Sequence, residues 1–308
     1  MNSIHLIDAS IYVFRSYFSV ATEFRDRDEA PVHAVFGFLN TLMGLLTDAQ
    51  PSHIAVCFDE SLTTSFRNRL YPAYKANREL PPADLALQFT YCQQLCRALG
   101  LCVLVDGEYE ADDLVGSALH ALRPHGFRGV MVTGDKDFSQ LVGEHDVIFD
   151  VTRRERTDAA GVKRKHGVRP EQFADYLALM GDSVDNIPGI HGIGPKTAAT
   201  LIGHFGSLNA LLERVDEVAF LRMRGATQVA EKLKAGRDDA RLFRQLSTIA
   251  NHAPVPSDPD AYRIAGADEA ALFALIEQLR FGPLTRRRCE EWVKSGSRSE
   301  RVALPRED

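Results

Sequence analysis

No apolar run in this sequence approaches the roughly 20 residues that a membrane-spanning helix requires. The opening Met1-Asn2-Ser3-Ile4-His5 lacks the basic start and long apolar stretch of a secretory signal. Both absences point to a cytoplasmic protein that does not engage a membrane. Cysteine is sparse. Cys57, Cys92, Cys96, Cys102 and Cys289 are odd in number and show no paired spacing, which argues against a disulfide framework. Cys92 and Cys96 stand four residues apart on a helix-like stretch, one of the zinc-ligand spacings. No Cys or His pair nearby completes such a site, so they read as core thiols. Internal repeats and heptads are missing as well. What remains is a chain of 308 residues, 45% hydrophobic and 25% charged, enough to bury a core in one large domain or two lobes.

Short apolar runs of β character alternate with helical patterns over the first half. Ser3–Asp8, His53–Phe58, Leu101–Val105, Gly129–Thr133 and Val147–Val151 read as strands. Between them, Val32–Ala49, Ala83–Leu99, Glu110–Leu122 and Lys136–Val142 read as helices. This alternation predicts an α/β fold with a mainly parallel sheet covered on both faces. After about Pro170 the strands stop. Glu171–Met180, Pro195–Phe205, Leu208–Val215, Val229–Ile249 and a last helix over about Asp268–Leu279 form a helical lobe. The Pro-rich stretch Asn251–Tyr262 interrupts it, and the polar end from Ser295 reads as a disordered tail.

Acids collect at the strand ends. Asp8 ends the first strand and Asp59 the second; Glu110, Asp112 and Asp113 open the helix after the third. Asp135 and Asp137 follow the fourth, and Asp182 and Asp185 come after the first helix of the second lobe. A single Asp in such a place is equally well a turn former or a helix cap. Nine together at one end of a sheet are different, because ligands of open α/β sheets bind beyond the carboxyl ends of the strands. Their mutual repulsion favours protonation or divalent cations. An oxygen-only ligand set selects hard ions, Mg²⁺ or Mn²⁺. Asp150 also ends a strand but has no companions. The net charge of −6 argues against a polyanionic partner until these nine are set aside; the remainder is net positive. Seven Lys/Arg against two acids lie in 153–169, seven against three in 222–244, and Arg286–Arg288 are consecutive. Any one such run is commonly just a solvated face. Several beside an acidic site suggest a nucleic acid held by basic flanks.

The motifs resemble the 5′→3′ exonuclease/flap endonuclease family, which includes the N-terminal nuclease domain of bacterial DNA polymerase I. SFRNRLYPAYKANR at 65–78 is similar to the family's S-F-R…Y-K-x-x-R segment, and GDKD at 134–137 with Gln140-Leu141 to its D-K-D…Q-L stretch. ALMGDSVDNIPGIHGIGPKTA at 178–198 resembles its G-D-x-x-D-N-x-P-G…G-I-G-x-K-T-A block, and LRFG at 279–282 its closing segment. The order and spacing hold to about residue 285. Ala9 stands where many relatives have Gly.

The resemblance implies a PIN-like or resolvase-like core over 1–168 with a helical arch at about 60–82. It implies a helical lobe over 169–294 whose helix–three-turn–helix element, about 187–205, grips duplex DNA. All nine acids fall on the family's metal positions, so two ions are expected, with Asp135, Asp137, Lys75 and Arg78 as the catalytic set. Lys75 and Arg78 would contact the scissile phosphate, with Arg67 on a phosphate nearby. Arg15 and Tyr17 match family positions too; Tyr17 would stack on a base or simply pack. Gly192, Gly194 and Lys196 would meet the duplex backbone, and the family's K⁺ ion on the 187–194 hairpin has no side-chain signature to confirm it. The expected protein is a monomeric DNA nuclease for flap or primer removal. A polymerase I would continue past Asp308, so the sequence reads as a stand-alone nuclease or a piece of such a protein. The rival readings are an RNA-cutting nuclease of the acidic-cluster type, and a junction binder that does not cleave.

Overall fold

The computed structural model describes the backbone of residues 2–60, 64–79 and 81–302, with side chains to 295. In the first lobe, β1 (Asn2–Asp8) runs straight into α1 (Ala9–Ser19), followed by α2 (His33–Ala49), β2 (His53–Asp59) and the short α3 (Phe66–Leu70). Then come α4 (Ala83–Ala98), β3 (Cys102–Asp106), α5 (Ala111–Leu122), β4 (Phe127–Val132), β5 (Val147–Asp150), β6 (Glu155–Thr157) and α6 (Ala159–His166). Helices α7 (Phe173–Met180), α8 (Pro195–Phe205), α9 (Leu208–Glu213), α10 (Ala226–Ala235) and α11 (Arg237–Ser247) build the second lobe; α12 (Glu269–Gln278) and α13 (Pro283–Val302) close the chain.

The described strands form one six-stranded sheet in the order β3-β2-β1-β4-β5-β6. All neighbours are parallel except the β5–β6 pair. The strands are apolar on both faces, and the alternation of side chains sorts them into two cores. Ile4 and Leu6 of β1, with Ala55 and Cys57 of β2, join the core under α5. Ile7 of β1 and Ile54, Val56 and Phe58 of β2 join the core under α1, α2 and α4. The α5-side core continues without a break into the second lobe through Phe173, Leu177, Leu201 and Leu233, so the two lobes share their interior. This strand order reverses direction between β1 and β4, the place where such sheets bind ligands.

Several expectations are corrected. Helix α1 was not expected. The 229–249 stretch is two helices, α10 and α11, broken at Gly236, where a Cβ would lie 2.8 Å from Ile190 Cδ1, so the close passage of Ile190 favours glycine at the break. Residues 137–141 form a 3₁₀ turn, not an α-helix. The 169–294 lobe is not one spatial unit: Leu272, Ile276, Leu279 and Cys289 join the core beside α4, and Trp292 Nε1 donates to Leu99 O at 3.0 Å. Helix α13 carries its backbone past the expected start of a disordered tail, to Val302, with Arg286–Glu290 and Arg287–Glu291 paired one turn apart. Residues 303–308 lie outside the described residues. So do 61–63 and 80 of the expected arch; its described part is α3 and a run of tight turns over 72–77.

Candidate active site

The carboxyl end of the sheet delivers the acids through strand ends and helix starts. Asp8, 5% exposed, closes β1 and caps α1; its Oδ2 accepts Thr133 Oγ1 at 2.9 Å. Asp59 closes β2 and accepts the Ala111 amide at 2.8 Å, tying it to the start of α5. Glu110 is the N-cap of α5, so Asp112 follows in the first turn, where free N–H groups favour negative charge. Asp135 accepts the Asp137 amide at 2.9 Å in the turn after β4. Asp182 pairs its backbone with Ile187 across a bridge and holds the Val184 amide at 2.9 Å. Gly181 makes that bend with a φ of +79°, where a Cβ would lie 2.6 Å from the Ile187 carbonyl oxygen.

These carboxylates feel one another. Burial, then the charges of Asp59 and Asp135, push Asp8 up to about 7. Burial and Asp135 push Asp137 to about 8. Asp112 is raised well above the usual range by burial, Asp8 and Asp135. Glu110 goes the other way: burial would raise it, but Lys75 and Arg67 hold it below its ordinary value. Lys75 Nζ reaches Glu110 Oε2 at 2.8 Å, and Tyr74 Oη lies 3.1 Å from both Glu110 Oε2 and Asp185 Oδ2, which share its single proton. Arg78 Nη2 meets Asp185 Oδ1 at 2.7 Å. Lys136 lies between Asp137 and Asp182.

Eight of the nine predicted acids therefore share one electrostatic site; Asp113 does not. It is fully buried on the other side of Glu110, forked by Arg67 at 2.7 and 2.8 Å. Arg67, 2% exposed, has no path to a phosphate, so both assignments are corrected: its guanidinium is consumed by Asp113 and by the carbonyls of Leu246 and Thr248. Sequence spacing could not distinguish Asp113 from Asp112, because adjacent residues on a helix point about 100° apart. Tyr17 sits at the far end of α1, on the ring of His33 and hydrogen-bonded to Asp84 at 3.2 Å. Arg15 donates to Thr152. Gly192, Gly194 and Lys196 are exposed at the hairpin and the start of α8. Gly194 is the N-cap and Pro195 opens the helix, leaving first-turn amides free. The sequence reading passed over Tyr74 and Lys136 as site residues, although both stand inside the quoted Y-K-x-x-R and D-K-D motifs.

Among the described residues no three His, Cys, Asp or Glu side chains already converge as a cation cage. The donor chemistry nevertheless fits hard divalent ions. The set is all oxygen, three of its acids are raised by burial and then by their neighbours' charge, and Asp137 Oδ1 is buried without a hydrogen-bond partner. Without cations this crowding costs stability, with a definite pH dependence. Asp8 and Asp137 keep their protons in the fold above the ordinary value of 3.8, so their contribution is complete below about 3.8 and is lost as pH rises through about 7 to 8. In EDTA, the urea midpoint is expected to fall between pH 6 and pH 8, by the equivalent of a few kcal/mol at about 1.4 kcal/mol per pH unit. Mg²⁺ should remove most of that fall. Identical midpoints at the two pH values in EDTA would contradict the crowding.

Comparison with known proteins places the chain in a family and matches its fold. The profile described as "5'-3' exonuclease, N-terminal resolvase-like domain" matches residues 3–167, and "5'-3' exonuclease, C-terminal SAM fold" matches residues 168–270. DNA polymerase I of Rhizobium leguminosarum is 38% identical over 293 residues, covering 92% of this chain but 28% of the relative. The chain thus spans less than a third of that polymerase's length. Among solved structures, a bacteriophage T5 D15 flap endonuclease complex with DNA and metal ions superposes with a TM-score of 0.63 at 18% identity, over 96% of this chain and 100% of that one. The catalytic core of Rad2 in complex with DNA substrate gives 0.64 at 15% identity, over 95% and 92%. No helix among the described residues is long and apolar enough to cross a membrane. With both family domains matched in order along one chain, this protein belongs to the 5'-3' exonuclease family.

Proposed function

We propose that this chain is a divalent-metal-dependent 5′→3′ exonuclease and structure-specific 5′-flap endonuclease. It hydrolyses DNA phosphodiester bonds near single-strand/double-strand junctions, in primer or flap removal and in repair. The observation that carries this reading is that eight carboxylates from the strand ends, the start of α5 and the 181–187 turn act on one another's charge, with Lys75 paired to Glu110 and Arg78 to Asp185. The reading extends to a monomer working in the cytoplasm.

Asp8, Asp59, Glu110, Asp112, Asp135, Asp137, Asp182 and Asp185 would hold two Mg²⁺ or Mn²⁺ ions. When bound, such ions supply Lewis acidity and a hydroxide-like nucleophile at neutral pH. The chain's own residues do the rest. Lys75 and Arg78 exchange their carboxylate partners for the scissile phosphate, where they offset the charge that develops in the transition state. Tyr74, anchored to Glu110 and Asp185, orients the Lys75 backbone, whose amide is held on Asp185 O at 3.0 Å with φ +55°. The exposed hairpin and the N-terminus of α8 accept duplex phosphates on backbone N–H groups, which grips DNA without reading sequence. A K⁺ ion on the hairpin carbonyls belongs to the same proposal.

The test is cleavage of a 5′-labelled flap duplex in Mg²⁺ and in EDTA, beside single-stranded RNA of the same sequence. Cutting of the flap near its junction in Mg²⁺ alone supports the reading. Binding without cutting in Mg²⁺ or Mn²⁺, or cutting of RNA only, overturns it. Lys196→Ala should weaken duplex binding uniformly across sequences and reduce the slope of log K against log salt by about 1. An unchanged slope would remove the hairpin from the duplex grip.

A further inference from the structure

Residues 246–253, from the last turn of α11 onward, cross the first lobe as an irregular strap. Its backbone is held by side chains from α5 and the 137–141 turn, which also carry acids, and by Arg67 of α3. Arg67 takes the carbonyls of Leu246 and Thr248 at 2.8 and 2.9 Å. Gln140 brackets the strap, donating to Ser247 O at 3.0 Å and accepting the Ile249 amide at 2.9 Å. Asp113 accepts the Ala250 amide at 2.7 Å. Ser117 accepts the Ala253 amide at 2.9 Å and donates to Ala250 O at 3.4 Å. The fit is close: a Cβ on Gly116 of α5 would lie 2.7 Å from Ile249 Cγ2 and 2.8 Å from Ala250 O. Glycine costs helix stability in the middle of α5, so its presence there matches the need for this approach.

The other end of the strap leads to the remaining acids. Helix α11 packs on α7, and Arg244 of α11 pairs with Asp175 of α7. The end of α7 leads directly to Asp182, whose bridge to Ile187 begins the hairpin, and the Ile190 amide is bonded to Leu179 O at 2.8 Å. One backbone segment therefore links three groups: Glu110 and Asp112 through α5, Asp135 and Asp137 through the turn bearing Gln140, and Asp182, Asp185 and the hairpin through α11 and α7.

We infer that Gln140, Arg67, Asp113 and Ser117 are positioning residues that clamp the 246–253 strap and so set the acids of the two lobes in register with the hairpin that holds the duplex. The inference rests on the nuclease reading above. It gives a role to the R of S-F-R, whose guanidinium is fully engaged by Asp113 and the strap carbonyls, and to the Q of D-K-D…Q-L, which is bonded to the strap backbone. Small displacements of catalytic groups lower turnover without loosening the substrate, so the clamp acts on kcat.

The test is Gln140→Ala in the full chain, with flap duplex and Mg²⁺, beside wild type and Gln140→Glu. The expected result is a kcat lowered by about 10- to 100-fold with KM within about threefold, since a 1 Å misplacement distant from the chemistry can cost about 100-fold. Gln140→Glu keeps the acceptor for Ile249 and should recover part of the loss. Hydrogen exchange at the Ile249 and Ala250 amides, read without DNA or metal, should accelerate in the Ala variant. Gly116→Ala, which improves helix propensity while displacing the strap, should show the same kcat loss and stands in if Gln140→Ala does not fold. Unchanged kcat in either folded variant, or a raised KM with normal kcat, overturns the clamp. Wild type that fails to cut the flap overturns the nuclease reading instead.

Discussion

Replacing Asp135 by alanine should abolish cleavage of a flap duplex while leaving its binding in EDTA largely intact, and it should make the metal-free protein more stable at neutral pH. The three outcomes share one cause. Asp135 is the common neighbour whose charge raises Asp8, Asp112 and Asp137. Without it, burial still raises all three, but one of the charges acting on each is gone, so they ionise in the fold at a somewhat lower cost. The same deletion takes a ligand from the centre of the site. Losing a group that merely orients a metal ligand costs roughly 10- to 100-fold, and loss of a ligand at the centre should exceed that. No DNA-facing cation is removed, so affinity for the flap in EDTA should stay near wild type. Flap cleavage, EDTA-phase binding and urea denaturation at pH 7 read the three outcomes. Cleavage within tenfold of wild type would exclude Asp135 from the site.

Arg67→Ala should produce the largest loss of stability, about 3–5 kcal/mol, because it strands the Asp113 carboxylate where no solvent reaches. Asp113 would keep its amide bonds from Glu110 and Ala250, while the carbonyls of Leu246 and Thr248 would lose their donor. Arg67→Lys should recover little, since one ammonium cannot span a two-oxygen fork and two carbonyls at once. The exposed Arg214–Glu217 pair is the control: it has similar geometry on paper, but water already solvates both partners, so Arg214→Ala should leave the urea midpoint where it was. An Arg67→Ala midpoint equal to wild type, accompanied by a flatter salt dependence of DNA binding, would restore Arg67 to the phosphate contacts expected from its motif.

The two substitutions separate two kinds of acid that look alike in the sequence. Asp112 and Asp113 are neighbours in one helical turn. Asp112 faces Asp8 and Asp135, whereas Asp113 faces a guanidinium and a strap of backbone. Lys75 and Arg78 show a related economy. In the free protein they neutralise Glu110 and Asp185, which offsets part of the repulsion among the carboxylates.

The sequence by itself determined the strand–helix alternation, the parallel sheet and the position of the acids at its carboxyl end. These follow from local apolar periodicity and from the rule that such sheets bind ligands where the strands end. It determined the hairpin before α8 as well, because Gly194-Pro195 is a local helix-start signal. Tertiary structure alone decided which acids face one another. It also decided that Arg67 is interior, that α12 and α13 return to the first lobe, and that the chain breaks at Gly236. Most of these depend on partners more than 40 residues away along the chain, as in the Arg67 bonds to Leu246 and Thr248 and the close passage of Ile190 at Gly236. Local pattern carries no signal for such contacts, since whether a polar side chain meets water, a carboxylate or a backbone carbonyl is settled only when distant segments pack together.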